Sequence, residues 1–243
     1  LKETENLTGT TDVLATAVAK DYTGFTENTS HGSRVASGTI AADGSLVLKL
    51  YYDRDTFTVT FEEDGGSEVD DITGVLYDAT IIAPTAPTKT GYTFSAWYKE
   101  AALTTAWNFG TDTVTAATTL YAKWNPKSYT VTFDGNGGEA PSPATNNVTF
   151  ASTYGDLATT SRTGYTFSGW YTASTGGSKI VTTTTVNITE NQTLYAQWTI
   201  NEYTVTFKDH GGSVLGTQTV SHGSTATAPD NPTKEGYKFD GWY

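Results

Sequence analysis

The side chains best suited to chemistry in this sequence are its histidines, two acidic clusters and a set of tyrosines. A zinc site collects His, Cys or acidic ligands at short spacings, and a nucleophilic triad joins Ser or Cys to His and a carboxylate. His31, His210 and His222 stand in neither pattern and have no counterparts in register elsewhere in the chain, so they read as solvated side chains. The stretch Asp134-Gly135-Asn136-Gly137-Gly138-Glu139 begins like a calcium loop, yet the twelfth position, which such a loop fills with a bidentate Glu, is Thr145. A plain hairpin turn is the better reading. The acidic run Glu62, Glu63, Asp64, Glu68, Asp70 and Asp71 reads as a solvated face. The Gly-Gly pairs are not followed by Lys-Ser or Lys-Thr, so no phosphate cradle is expected. Paired carboxylates for glycoside hydrolysis would need a cleft that a small domain hardly provides. Lys49 and Lys123 fall on polar strand faces, which disfavours an intramolecular isopeptide bond to Asn. No catalytic residue, metal ligand or cofactor is assigned, and the chain is not expected to be an enzyme.

The tyrosines remain as binding candidates. Tyr121 and Tyr195 occupy the second position of Leu120-Tyr121-Ala122-Lys123-Trp124 and Leu194-Tyr195-Ala196-Gln197-Trp198. Strand alternation puts Leu, Ala and Trp of each on one face and Tyr with the polar residue on the other. An exposed ring there would stack on a glycan or on a host surface protein.

Charge narrows the partners further. With a formal net charge of -12 and only 14 Lys and Arg, the chain has no cationic patch for nucleic acid or for an anionic membrane surface. No apolar run approaches the roughly 18 residues of a spanning helix, so no membrane insertion is expected of this segment. The absence of cysteine is compatible with a disulfide-free extracellular stalk on a bacterial cell surface.

These residues are positioned by a repeat. The octapeptide Gly164-Tyr165-Thr166-Phe167-Ser168-Gly169-Trp170-Tyr171 has counterparts in Gly91-Tyr92-Thr93-Phe94-Ser95-Ala96-Trp97-Tyr98 and Gly236-Tyr237-Lys238-Phe239-Asp240-Gly241-Trp242-Tyr243. The interval of about 73 residues is too long for a solenoid turn and suits a small domain. Each repeat opens on an alternating strand, Phe57-Thr58-Val59-Thr60-Phe61, Tyr129-Thr130-Val131-Thr132-Phe133 or Tyr203-Thr204-Val205-Thr206-Phe207, and then enters a glycine-containing hairpin turn. The segment after the hairpin has room for one short helix, and prolines such as Pro84, Pro87 and Pro232 exclude a long one. Linkers as short as Asn125 to Ser128 and Thr199 to Glu202 predict a fairly stiff, elongated rod. The domains predicted are 1–54, 55–126, 127–200 and 201–243.

The opening strand, the octapeptide with its preceding Pro-Thr-Lys and the Leu-Tyr-Ala-x-Trp strand together resemble the Listeria/Bacteroides repeat, the internalin-type B repeat, over residues 55–243. The resemblance implies tandem β-grasp-like domains of bacterial cell-surface proteins, each a twisted sheet of about four strands with little helix. The fold class expected is therefore mostly β, of a small α+β kind. The function implied is a non-catalytic structural spacer that supports adhesion, with the alternative that the repeats themselves bind host glycan or protein. Residues 1–54 resemble the C-terminal part of a mucin-binding-protein-like repeat through Leu7-Thr8-Gly9-Thr10, Tyr22-Thr23-Gly24-Phe25 and Leu48-Lys49-Leu50-Tyr51-Tyr52. A strand is expected where Leu46, Leu48, Leu50 and Tyr52 alternate with polar or outward positions. The first domain lacks an opening strand and the last a closing one, so self-association through open sheet edges is expected.

The structural core is expected to comprise Phe61, Phe94, Trp97, Trp124, Phe133, Phe167, Trp170, Trp198, Phe207, Phe239 and Trp242. Losing one such Trp, at a typical cost of about 3 to 5 kcal/mol, should unfold a domain this small. In a regular strand, Phe167 and Trp170 would face opposite ways, being three apart. Two solutions stand open: Trp170 covers the second face of the sheet, or Gly169 marks a bulge that turns it to the side of Phe167. Ala96 at the equivalent position tolerates a Cβ and keeps the flat arrangement open.

Overall fold

A computed structural model describes residues 3–243, so the first two residues of the first expected domain lie outside the described part. Among the described residues the regular structure is entirely strand. The chain is mostly β, and the short helix allowed for after the hairpin does not form: 77–91 runs as irregular chain through Pro84 and the buried Pro87. Prolines this close together remove the backbone donors a helical turn needs. The residues group into two compact units, Leu1–Lys89 with Thr93–Asn125, and Thr90–Tyr92 with Pro126–Tyr243.

The first unit begins with two small antiparallel pairs. Strand β1 (Leu14–Thr16) pairs with β3 (Ser37–Thr39), and β2 (Phe25–Glu27) with β4 (Tyr52–Arg54). The expected strand through Leu46 to Tyr52 is thus shorter than its alternation implied. Leu46, Leu48 and Leu50 are half-buried and Val47 and Lys49 exposed, yet only Lys49 is paired, in an isolated bridge to Val35. Alternation selects the face; a ladder also needs a partner strand alongside.

The rest of this unit is a four-stranded sheet of β5 (Thr56–Glu62), β6 (Ile72–Leu76), β7 (Tyr92–Tyr98) and β8 (Thr118–Pro126), in the order β6-β5-β8-β7. β5 and β6 form the antiparallel hairpin, whereas β5 and β8 run parallel, with Phe61 opposite Leu120. The second unit repeats this with β9 (Ser128–Asp134), β10 (Thr145–Thr149), β11 (Tyr165–Tyr171), β12 (Lys179–Ile180) and β13 (Gln192–Ile200), ordered β10-β9-β13-β11-β12. Here β9 and β13 are the parallel pair, with Phe133 opposite Leu194. A further hairpin follows, β14 (Glu202–Lys208) with β15 (Val214–Ser221).

One face of each sheet carries the core. Val59 and Leu120 of the first sheet with Val114 from the connecting chain, and Val131 and Leu194 of the second with Val186 from the connecting chain, are fully enclosed. Rings close over them in the same order. Phe61 meets Trp97 at 4.7 Å, Trp97 meets Phe94 at 5.4 Å and Phe94 meets Trp124 at 5.6 Å. In the second sheet Phe133, Trp170, Phe167 and Trp198 succeed one another at 4.8, 5.6 and 5.3 Å. Phe207, Trp242 and Phe239 follow suit at 5.1 and 5.4 Å and are half-buried. Phe61, Trp97, Phe133 and Trp170 are buried, while Phe94, Trp124 and Trp198 lie at the margin of the cores. Phe167 is less enclosed than a core residue, 39% exposed, because it sits toward the end of β11, where the sheet gives way to the linker.

The bulge is the solution adopted. Along β11 and β13 the register runs Phe167 opposite Trp198, then Gly169 opposite Gln197, which leaves Ser168 as the extra residue and turns Trp170 to the side of Phe167. Gly169 has φ +137°, open to glycine and strained for other residues. Ala96 holds no positive φ, yet Phe94 and Trp97 still meet at 5.4 Å, so the first repeat reaches the same ring geometry by a different backbone path.

Candidate functional site

The candidate face is the side of each sheet opposite the core, and its chemistry follows from alternation. Leu120 and Ala122 are buried beneath β8, so Tyr121 and Lys123 point the other way; Tyr195 and Gln197 do the same on β13. Because the outer strands of this face flank a parallel pair, each tyrosine gains defined neighbours. Tyr121 lies opposite Glu62 of β5, and Tyr195 lies opposite Asp134 of β9 on one side and Tyr171 of β11 on the other. Beside Tyr121, the Lys123 Nζ sits 4.9 Å from the centre of the Tyr98 ring, a cation–π contact. Gln197, at the position of Lys123, instead donates its Nε2 hydrogens to the carbonyls of Ala173 at 3.0 Å and Gly176 at 2.6 Å.

Threonines fill the rest of the face. Thr60 donates to the Thr119 Oγ1 at 2.9 Å across the parallel pair, and Ser168 and Thr199 hydroxyls meet at 2.9 Å beside the bulge. Tyr121 and Tyr195 are half-buried, and among the described residues neither hydroxyl has a hydrogen-bond partner. The face thus offers a phenol beside one carboxylate, with a lysine nearby in the first repeat and a second tyrosine and an amide in the second. Such a surface donates and accepts hydrogen bonds and presents ring edges. Tyr98 and Tyr171 were not among the binding candidates expected from sequence, and Glu62 and Asp134 were expected in a solvated acidic run and a hairpin turn rather than beside the tyrosines. The bulge puts Tyr171 out of the simple alternation, and parallel pairing, which brings Glu62 and Asp134 alongside, joins segments about sixty residues apart.

The turns are built against the cores. Asp64 and Gly65 both have positive φ, as do Asn136 and Gly137. The second glycine of each pair, Gly66 or Gly138, lies under a tryptophan: an added Cβ would stand 2.5 Å from Cζ2 of Trp124 or of Trp198. Each indole N–H then reaches a turn carbonyl, Trp124 to Glu63 at 2.8 Å and Trp198 to Gly135 at 3.0 Å. In the segment that began like a calcium loop, Asn136 spends its amide hydrogens on the carbonyls of Ser174 and Ala196, both at 2.9 Å. This ties the turn to the strand beneath it. Among the described residues no three His, Cys, Asp or Glu side chains are grouped to hold a metal. No helix of the described residues is long and apolar enough to cross a membrane.

The Asp112 carboxylate accepts the backbone N–H of Asn108 and the Lys99 ammonium, each at 2.8 Å, which holds its carboxyl below the usual range. Burial pushes the Tyr154 hydroxyl up; it donates to the Gln192 Oε1 at 2.6 Å.

Three successive stretches of the chain, 57–123, 129–197 and 203–243, match the family model of the Listeria-Bacteroides repeat domain. The chain is 41% identical over 167 residues to internalin H of Listeria monocytogenes, covering 68% of this chain and 28% of that protein. It is 37% identical over 202 residues to a protein of Evansella cellulosilytica named as a membrane protein, covering 82% of this chain and 29% of the relative. A second protein of that organism, named as a Gly-rich membrane protein, is 36% identical over 203 residues, with 82% of this chain and 23% of the relative covered. The chain therefore spans less than a third of the length of each of these relatives. With its ring-closed sheets and three matched repeats, the chain belongs to the Listeria-Bacteroides repeat domain family.

Proposed function

We propose that this chain is a non-catalytic spacer of a bacterial cell-surface protein, lying outside the cell and holding other parts of its parent away from the envelope. Its repeats, with domains at 55–126, 127–200 and 201–243, supply the length of the spacer, and residues 1–54 are a partial mucin-binding-protein-like domain joined to them. The observation that carries this reading is the destination of the recurring aromatics. Trp97 and Trp170 are each only 2% exposed, so the residues that define the repeat serve its interior. The names of the relatives, internalin H and membrane proteins, support a place at the cell surface. The scattering of X-rays by the chain in solution tests the reading: a rod-like profile is expected, and a freely jointed or compact one would overturn it.

A second reading is favoured by the pairing of Tyr195 with Tyr171 and of Tyr121 with Glu62 on the outer faces. On this reading the repeats bind a host glycan or host surface protein directly. A glycan and host-matrix binding screen separates the two. Binding that disappears in Tyr121→Ala/Tyr195→Ala, with the near-ultraviolet tryptophan signal unchanged, supports the adhesin; an empty screen supports the spacer.

A further inference from the structure

One arrangement occurs three times and belongs neither to the cores nor to the tyrosine face. It involves a glycine, a linker residue and a ring. In the first unit the carbonyl of Gly24 accepts the N–H of Asp55 at 2.9 Å, and the carbonyl of Asp55 accepts the N–H of Tyr77 at 2.7 Å. In the second unit Gly91, Lys127 and Phe150 are linked in the same way at 2.8 and 2.9 Å, as are Gly164, Asn201 and His222 at 2.9 and 2.8 Å. The linker residue immediately precedes the first strand of a hairpin and the ring immediately follows the second strand.

The ring then lies against the glycine. A Cβ on Gly24, Gly91 or Gly164 would stand only 2.1, 2.4 or 1.9 Å from a ring atom of Tyr77, Phe150 or His222 respectively. The three glycines share φ of +74°, +79° and +76°, so both the space and the conformation exclude a side chain. The aromatic after each glycine completes the seat. Phe25 faces Tyr77 at 6.3 Å, Tyr92 faces Phe150 at 5.3 Å and Tyr165 faces His222 at 6.4 Å. Tyr77 and Phe150 are half-buried, whereas His222 remains exposed. The glycine comes from the turn that opens one Gly-Tyr or Gly-Phe strand, and the ring from the hairpin that comes next in the chain. Gly236 has the same conformation, φ +78°, with open space above its Cα.

We infer that the Gly-aromatic turn is a docking seat for the opening hairpin of a Listeria-Bacteroides repeat, recognised through the planar residue that ends that hairpin. The recognition is of shape: a flat ring fits over a bare Cα, and two backbone hydrogen bonds through the linker residue fix its position. Tyr, Phe and His share only planarity, which is all the seat requires. The inference holds whether the array is a spacer or an adhesin, since it concerns how a repeat's opening hairpin is held and not what the array contacts.

Amide hydrogen exchange on the full chain tests it, using Tyr77→Ala, Phe150→Ala and His222→Ala together with the ring exchanges Tyr77→Phe and Phe150→Tyr. The alanine variants are expected to speed exchange at the linker amides of Asp55, Lys127 and Asn201 by about tenfold or more, leaving the core amides of Leu120 and Leu194 unchanged. The ring exchanges are expected to preserve protection. Unchanged linker amides in the alanine variants would overturn the inference. So would a matching loss in the core amides, which would assign the rings to the interior of their own repeats, and so would ring exchanges as damaging as alanine. Scattering from the same variants separates this result from the spacer reading, because a rod could persist without the seats.

Discussion

The indole N–H of Trp170 donates to the backbone carbonyl of Ala158 at 2.8 Å, and both residues are buried. Trp97 holds the same place in the preceding repeat, but its Nε1 is buried with no hydrogen-bond partner among the described residues. Replacement by Phe removes similar volume at each site and has opposite polar consequences. Trp170→Phe leaves a buried carbonyl unsatisfied, whereas Trp97→Phe removes an unsatisfied donor. Trp170→Phe should therefore cost about 1–3 kcal/mol more than Trp97→Phe. Core-amide exchange at Leu194 and Leu120 reads the two repeats separately.

The bulge gives a second contrast. Gly169 has φ +137°, and an added Cβ would stand 2.5 Å from the Lys179 Cε, the movable end of a side chain. The backbone conformation is thus the larger obstacle, and Gly169→Ala should destabilise the second repeat by about 1–3 kcal/mol. Ala96→Gly should cost the first repeat only about 0.5–1 kcal/mol, by chain entropy. Urea unfolding followed by tryptophan fluorescence measures both.

At the turns, Gly66→Ala and Gly138→Ala should each displace a tryptophan and weaken its bond to a turn carbonyl. Gly138→Ala should be the worse, since its Cβ would also stand 2.8 Å from the Ser161 carbonyl oxygen, which cannot swing aside. A cost of about 1–3 kcal/mol is expected from overpacking at Gly138. Differential scanning calorimetry should show the larger fall in melting temperature for the Gly138 variant.

Acid should act on the first repeat through Asp112. Its carboxyl is held low by the Asn108 N–H and then by Lys99, so its folded value lies below its unfolded one. The stabilisation is fully present above the unfolded value of about 3.9 and is lost as pH falls through the lower folded value. Asp112→Asn should flatten the acid end of the stability profile of this repeat and leave the second repeat's profile unchanged. Urea titrations between pH 2 and 7, about the range that matters for carboxylates, would check this.

Much of this was legible before any coordinates. The opening strands, the Leu-Tyr-Ala-x-Trp strands and the glycine turns could be read because each is specified by residues close in sequence. The bulge was legible only as one of two alternatives, since a three-residue spacing between Phe167 and Trp170 permits either. Leu46 to Tyr52 misled because alternation reports burial and not pairing. The rings that seat on glycine were invisible for another reason: Tyr77, Phe150 and His222 are different residue types, and their partner glycines belong to the preceding stretch of chain. Carboxylates beside Tyr121 and Tyr195 were hidden by the parallel pairing, which no local pattern announces.

That parallel pairing has a mechanical consequence. In each complete sheet the chain enters along one central strand and leaves along the other, β5 with β8 and β9 with β13, side by side and pointing the same way. Tension applied through the two ends of a repeat therefore pulls these neighbours past each other along their length. Every hydrogen bond between them must yield together, instead of opening one after another as in a hairpin pulled from its tips. Under load, such a sheet resists forced unfolding through the rate at which this shear barrier is crossed, a property separate from its equilibrium stability.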